Sequence, residues 1–482
     1  MDSIWTKTCQ LPARPPLREP IRCEIAVIGA GMAGLLCAYA LQQDGHHVAV
    51  LEANRMASGQ TRNTTAKITS QHGLLYHKLC AALGSAKAAA YAEANEAAIR
   101  EYRRLVERER IDCDFEDCAN WVYGSDLQTL RQEAETAKRL GLPAEFVERL
   151  KTPLPAAGAV RFSGQAQFHP LKFLRAISEP LTVYEQTPVQ AVEGTDLRTP
   201  HGTVRAEKVV FACHYPFPRL AGLYFTRLHQ ERSYVLALEA ATPVDGMWIG
   251  ADGDPLSLRG CHNLLLLGGG GHRTGENSAG GQYEWLRKQA GALFPDAREI
   301  THWSAQDCIT PDGVPFIGQY GVGHPNWYVA TGFGKWGMST SMLSALLLRK
   351  LIAGAEAPEA AVFDPGRLRG GVLAGLVHEG GPAVKNLGKS FFEIPKITDR
   401  QLAPGHGGVV RLHGKKVGAY KDETGTVHSV NIRCPHLGCQ LAWNPDERSW
   451  DCPCHGSRFD CRGGLISGPA QSDITRKPEA LH

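Results

Sequence analysis

The chain runs to 482 residues, more than one hydrophobic core normally holds, so two or three domains are expected. A formal net charge of only +3, with no basic cluster interleaved with aromatics, excludes a nucleic-acid partner. Of the fourteen cysteines, nine are scattered singly through the first 308 residues, which is the usage of a reducing compartment and not of a secreted disulfide scaffold, so the expected location is cytoplasmic.

Residues 1 to 22 are rich in Pro and Arg and are expected to form a surface extension; Met1 to Gln10 has no apolar run of the signal-peptide kind. From Cys23 the pattern changes. Glu24-Ile25-Ala26-Val27-Ile28 reads as a strand, Gly29-Ala30-Gly31-Met32-Ala33-Gly34 as a turn, the residues to Gln43 as a helix, and Val48-Ala49-Val50-Leu51 as a second strand ending at Glu52. This is a βαβ unit with the dinucleotide fingerprint. Gly29 allows the tight turn, Gly31 lets a pyrophosphate approach the backbone, and Gly34 lets helix and strand pack closely. The helix N-terminus supplies N–H donors and a positive dipole. Glu52 stands where it would accept from ribose hydroxyls and repel a 2′-phosphate. The same glycines argue against reading the uncharged run from Ile25 to Gln43 as a membrane span, and no transmembrane segment is expected.

Further on, Lys87 to Arg110 and Leu127 to Leu140 have helical spacing, and Gln230 to Leu238 and Gly260 to Leu267 read as strands. The run Gly268-Gly269-Gly270-Gly271-His272-Arg273 is not followed by Lys-Ser/Thr, so it is read as a flexible turn and not as a phosphate loop. Thr310 to Gly318 contains a second Gly/Pro-marked turn. Ala330-Thr331-Gly332-Phe333-Gly334-Lys335-Trp336-Gly337-Met338 opens a helix running to about Ala353, a second glycine-rich helix start.

Together with the stretch from Ala53 to Lys67, these segments resemble the D-amino-acid-oxidase-like FAD-dependent oxidoreductases over roughly Cys23 to Arg369. The resemblance implies an α/β, Rossmann-like FAD-binding domain (23–369) with an inserted α+β substrate part at roughly 85–180 and 215–305. It implies FAD held by Gly29, Gly31, Gly34, Glu52, Ala53, Ser58, Gly59, Thr65, Ala66 and Lys67. Val189 and Ala212, on the expected strands Tyr184 to Val192 and Val204 to Ala212, and Asp312 join them, as do Gly332, Gly334, Lys335, Trp336 and Gly337 at the flavin ring. In that family a hydride leaves a carbon next to an amine nitrogen, and the protein mainly orients the substrate and tunes the ring. Lys67 and Lys335 are the catalytic candidates. Lys335 stands about one residue from the place where relatives hold a substrate carboxylate, which weighs against a simple α-amino acid as substrate.

Residues 370–390 are glycine-rich with little apolar periodicity and read as a tether. Beyond it come Cys434-Pro435-His436-Leu437-Gly438-Cys439 and Cys452-Pro453-Cys454-His455-Gly456-Ser457. Two Cys and two His are the ligand set of many zinc modules, and also of a [2Fe-2S] cluster whose two irons take thiolates and imidazoles respectively. The two loops resemble those of Rieske iron-sulfur proteins, with Gly468-Pro469-Ala470 similar to the third, proline-bearing loop. Over roughly Phe391 to Glu479 this resemblance implies Cys434, His436, Cys452 and His455 as metal ligands and a disulfide between Cys439 and Cys454. It also implies an all-β domain at 391–482, in which Gly408 to Leu412 and Val427 to Ile432 read as strands. High-potential members place a tyrosine where this chain has Phe459, which implies a lowered potential within the range of roughly −150 to +300 mV.

Three functional readings follow. The first is an FAD enzyme that dehydrogenates an amine-like small molecule and passes electrons singly through its own cluster to an acceptor. In the second, NAD(P)H drives a flavin/Rieske reductase that feeds a partner oxygenase, although the other glycine segments lack the form of a second Rossmann unit. The third is a non-catalytic FAD and iron-sulfur redox sensor.

Overall fold

The computed structural model describes residues 2–150, 152–218, 221–367, 398–412 and 414–475. The expected tether at 370–390 lies outside the described residues. By contact the chain divides into two compact units, one of Met1–His214, Ser233–Gly271 and Glu284–Arg367, the other of Tyr215–Arg232, His272–Tyr283 and Leu368–His482.

The first unit is built on a six-stranded sheet in the order Phe316–Gln319, Trp327–Thr331, Lys208–Phe211, Ile25–Ile28, Val48–Leu51, Thr182–Tyr184. All neighbours run parallel except Phe316–Gln319. Every residue of Ile25–Ile28 and Val48–Leu51 is buried, because a parallel sheet is covered on both faces; this is why these strands read as unbroken apolar runs and not as alternation. Helices Met32–Gln43 and Gly337–Ile352 pack against each other and against this sheet.

Two expected strands are each broken. Tyr184 to Val192 ends at Tyr184 and resumes at Ala191–Glu193, since Gln186 turns through φ 50° and Pro188 has no N–H to continue a ladder. Val204 to Ala212 divides between two sheets: Gly202–Arg205 joins a small sheet with Asp196–Thr199 and Ala191–Glu193, whereas Lys208–Phe211 lies beside Ile25–Ile28. The N-terminal stretch is not a surface extension. Its helix Ile4–Thr8 buries Trp5, whose Nε1 donates to Thr64 O at 2.7 Å, and Ile21–Arg22 pairs in parallel with Val204 and Arg205.

A second, nine-stranded sheet includes Glu116–Gly124, Gly158–Gln167, Ser257–Cys261 and Leu264–Arg273, with Lys67–Ile68 at one edge. Helices Ser85–Arg108 and Leu127–Arg139 form where their spacing predicts, the latter started by Asp126, whose carboxylate accepts from the N–H groups of Gln128 and Thr129. The glycines 268–271 are a correction to the sequence reading: they lie inside the strand Leu264–Arg273. A Cβ at Gly269 would stand 2.9 Å from the Trp285 ring and 3.1 Å from Leu256, so glycine there admits neighbouring side chains and makes no turn. Among the described residues no helix is long and apolar enough to cross a membrane.

The second unit is all-β in its C-terminal part. Gly407–Leu412, Lys415–Lys421 and Val427–Val430 form one antiparallel sheet; Ala442–Asn444, Ser449–Asp451, Arg458–Asp460 and Leu465–Ser467 form another. Tyr215–Arg232 and His272–Tyr283, which the sequence reading places in the substrate part, are counted with these sheets. Asp446 accepts from Asn277 Nδ2 at 2.8 Å and from the N–H groups of Gly281 and Gln282, both at 3.0 Å, and so caps the start of helix Gln282–Leu293. Glu447 accepts from Arg232 Nη2 at 2.9 Å and from the Tyr283 hydroxyl at 2.8 Å.

Candidate functional site

Strand Ile25–Ile28 hands over to helix Met32–Gln43 through Gly29, which has φ +103° and donates its N–H to Leu51 O at 2.8 Å. A Cβ on Gly29 would lie 2.7 Å from Ala212 O, and one on Gly34 only 1.9 Å from Gly29 O, so both positions require glycine for packing alone. At Gly31 a Cβ would meet Thr61 Oγ1 at 3.2 Å. That hydroxyl accepts from Met32 N at 2.9 Å, at the helix start, and no motif in the sequence marks Thr61 for the role. The Glu52 carboxylate follows the second strand and accepts from Ala30 N at 2.8 Å and Asn54 N at 2.9 Å. Burial raises its pKa, against the pull of those N–H donors. Val189 and Ala212 are buried, with Ala212 N bonded to Ile28 O at 2.9 Å; Gly59 precedes the short helix Gln60–Asn63. A side-chain-free turn at a helix start, with an acid closing the second strand, fits a dinucleotide.

The second glycine-rich helix start has Gly332 at φ 72° and Gly334 at φ 56°, with Trp336 just ahead of helix Gly337–Ile352. Trp336 stacks on His72, ring centroids 4.8 Å apart and planes 15° from parallel. His72 Nε2 lies 2.9 Å from Thr69 O and Nδ1 lies 2.6 Å from the Tyr91 hydroxyl, so Nε2 donates and Nδ1 accepts. Burial depresses its pKa to about 3, which keeps the ring neutral. The Asp312 carboxylate is gripped by Arg367, with Nε at 2.9 Å and Nη2 at 3.1 Å, and accepts from Val314 N at 3.1 Å.

Lys67 sits on the edge strand opposite Gln167, its ammonium bonded to Ser257 Oγ. Burial, reinforced by the nearby Arg259 charge, lowers its pKa to about 7. Arg259 is itself 3 % exposed. It donates through Nη1 to the carbonyls of Thr65 at 2.6 Å and Ala66 at 2.8 Å, and through Nη2 to Phe168 O at 3.1 Å. It thereby holds Ala66 at φ 56°, a conformation that L residues other than glycine adopt at a cost. Arg259→Met should leave three carbonyls without this donor at about 1 kcal/mol or more each. Urea denaturation of the variant is expected to show a loss of at least about 3 kcal/mol.

In the second unit the two Cys/His loops repeat one turn. Cys434 N donates to Cys439 O and Cys452 N to Ser457 O; Gly438 N donates to Cys434 O and Gly456 N to Cys452 O. Gly438 and Gly456 have φ +79° and +78°, the left-handed values the turn needs. Cys439 and Cys454 are joined by a disulfide, which leaves Cys434, His436, Cys452 and His455, all buried. The two imidazoles approach edge to face at 4.8 Å and 86°. His455 Nδ1 is buried and has no hydrogen-bond partner among the described residues, and the Phe225 ring stands edge-on to the imidazole. Burial lowers its pKa to about 3, which keeps the imidazole neutral, the form a metal ligand requires. Ser457 Oγ accepts from Ala470 N at 3.0 Å, which ties the third loop to the second.

Residues 24–351 match the family described as FAD dependent oxidoreductase, and residues 393–478 match the Rieske [2Fe-2S] domain. The chain belongs to the FAD-dependent oxidoreductase family and carries a C-terminal Rieske domain. FAD and a [2Fe-2S] cluster are its cofactors. This Rieske flavoprotein is 35 % identical over 489 residues, covering 97 % of its own chain and 96 % of the relative, to a Bacillus subtilis (strain 168) protein described as a Rieske 2Fe-2S iron-sulfur protein, YhfW. The cytochrome b6-f complex iron-sulfur subunit 1 of the Cyanophora paradoxa cyanelle is 34 % identical over 134 residues, 27 % of this chain and 54 % of the relative. Among solved structures, glycine oxidase from Geobacillus kaustophilus covers 70 % of this chain and 96 % of its own at 21 % identity and TM-score 0.59. L-proline dehydrogenase from P. horikoshii covers 73 % and 99 % at 17 % identity and TM-score 0.61. These likenesses show the fold.

In the Rieske domain Phe459 is fully buried in one apolar cluster with Cys434, Cys439, Cys452, Cys454 and Trp450. A tyrosine there would bring a hydroxyl into the surroundings of the ligand sulfurs. If it contributes a hydrogen bond of about 1 kcal/mol to the reduced state, the midpoint of Phe459→Tyr should rise by roughly 40 mV for a one-electron couple. A redox titration followed by paramagnetic resonance measures this, together with a structure of the variant that places the hydroxyl at sulfur. An unmoved midpoint in such a variant would refute the claim that Phe459 holds the potential down.

Proposed function

We propose that this protein dehydrogenates an amine-like small molecule and passes the electrons singly, through its own Rieske cluster, to an acceptor. The observation that carries the reading is the presence, in one chain, of an FAD-family fold and of a two-Cys, two-His loop pair with a buried, unpartnered His455 Nδ1. Bound FAD supplies two-electron chemistry and the cluster supplies one-electron chemistry, a combination that suits division of a hydride between single-electron carriers.

In this reading Gly29, Gly31 and Gly34 admit the pyrophosphate to the start of helix Met32–Gln43, and Glu52 orients the ribose. Gly332 to Gly337 present N–H donors and the helix dipole to the ring. Lys67, with its ammonium brought to about 7, is able to take up or release a proton near neutrality. Lys335 is the second candidate for substrate contact. Cys434, Cys452, His436 and His455 hold the two irons. The flavoprotein domain is assigned to 23–369 and the Rieske domain to 391–482, and cysteine usage supports a cytoplasmic location. The names of the similar structures, glycine oxidase, L-proline dehydrogenase and L-amino acid deaminase, support an amine-like substrate.

Anaerobic titration of the purified protein with a panel of amines and, separately, with NADH tests this. Bleaching of flavin absorbance by an amine, followed by that of the cluster, is the expected result. Rapid reduction by NADH with every amine inert would overturn it in favour of a reductase.

A further inference from the structure

We propose that Gln230, from the flavoprotein part of the sequence, is a positioning residue for the Rieske ligand His455, and that the two chain segments of the second unit that precede the Rieske domain form a cap on its second ligand loop. The proposal rests on the assignment of His455 as a ligand.

The Gln230 carboxamide donates through Nε2 to His455 O at 2.7 Å and reaches Gly468 O at 3.4 Å, in the third loop. One side chain thus bridges a ligand residue and the proline-bearing loop. Gln230 is 2 % exposed, so its N–H groups must find acceptors inside the protein. The loop is shaped to receive it: a Cβ at Gly456 would stand 2.6 Å from Gln230 Cβ, so Gly456 serves close approach as well as its left-handed φ. From the same segment, the Phe225 ring stands edge-on to the His455 ring at 6.1 Å and 80°. The companion segment closes over the neighbouring residue, where a Cβ at Gly275 would lie 2.6 Å from Pro453 N. Thr274 N donates to Gln230 O at 2.9 Å, which joins the two segments. A ligand whose backbone carbonyl is held by a side chain 225 positions away in sequence, and whose ring meets Phe225 edge-on, is not held by its own domain alone. Outer-shell partners of this kind orient a metal ligand and tune its centre.

The test uses the full-length protein with its cofactors. Gln230→Met keeps the side chain's length and packing but removes the donor. Its cluster midpoint is expected to fall by a tenfold change in the redox equilibrium, about 59 mV for one electron. Amide exchange at Gly456 and Ala470 should accelerate at least tenfold. Unchanged midpoint, g-values and exchange in Gln230→Met would overturn the proposal. If that variant does not retain iron, exchange in the wild-type protein decides: shared protection of 224–232 and 452–457 supports the cap, and fast exchange of 224–232 beside a protected ligand loop overturns it. Absence of a Rieske signal in wild-type protein would instead sink the ligand assignment, so the two failures are distinguishable.

Discussion

Replacement of Cys434 by serine or of His455 by alanine is expected to abolish the [2Fe-2S] paramagnetic signal of the reduced protein while a full complement of FAD stays bound. Each substitution removes one of four donors from a site whose loops hold no other free cysteine, since Cys439 and Cys454 are joined in a disulfide. His455→Ala also removes the only imidazole in the second loop. The flavin should survive because Gly29, Gly31, Gly34 and Glu52 belong to a different compact unit from the ligand loops. Iron and flavin analysis of the same preparation, with paramagnetic resonance after dithionite, measures both halves. Stoichiometric zinc without iron in anaerobically prepared wild-type protein would refute the cluster.

Gly31→Val should produce the complementary loss: protein with an intact cluster and little or no flavin. Even a bare Cβ at this position is within 3.2 Å of Thr61 Oγ1, and valine adds two methyl groups where the pyrophosphate must approach the backbone. Thr61 would also be pushed from Met32 N, which it accepts from at 2.9 Å. We expect FAD affinity to fall at least a hundredfold, about 2.8 kcal/mol, read from flavin fluorescence on reconstitution of the apoprotein. Gly34→Ala serves as the folding control, since its Cβ would sit 1.9 Å from Gly29 O and disturb the turn itself. A full flavin spectrum in Gly31→Val would show that this glycine is only a packing residue.

What could be read from the residues follows a physical division. The first βαβ unit was legible because its strands, buried on both faces, are unbroken apolar runs and its turn needs glycine at set offsets. The Cys/His loops were legible because a zinc site would account for the four donors but not for Cys439 and Cys454 at matching places in the two loops. Val204 to Ala212 was misread as one strand because local pattern does not report which sheet a residue joins. Gly268 to Gly271 was misread as a turn because Gly269 answers Trp285, a neighbour in space. Arg259, Thr61 and Gln230 carry no motif. Their roles arise from contacts spanning 194, 29 and 225 residues, which only the folded chain creates. Trp5 likewise hides in a stretch whose composition suggested exposure.

The hairpin around Asp446 and Glu447 bears on how this protein can be taken apart or recombined. Arg232 is 1 % exposed, and its guanidinium meets a Glu447 carboxylate that Arg458 also approaches at 3.4 Å. Removal of that carboxylate breaks a buried charge pair, a loss of about 3–5 kcal/mol. Transplanting the C-terminal module into another flavoprotein would therefore fail unless the recipient brought its own Arg232, Asn277 and Tyr283. The middle of the coding sequence and its C-terminal part are bound to be inherited as a matched pair, so chimaeras of relatives should tolerate a crossover only where both members of each contact come from one parent.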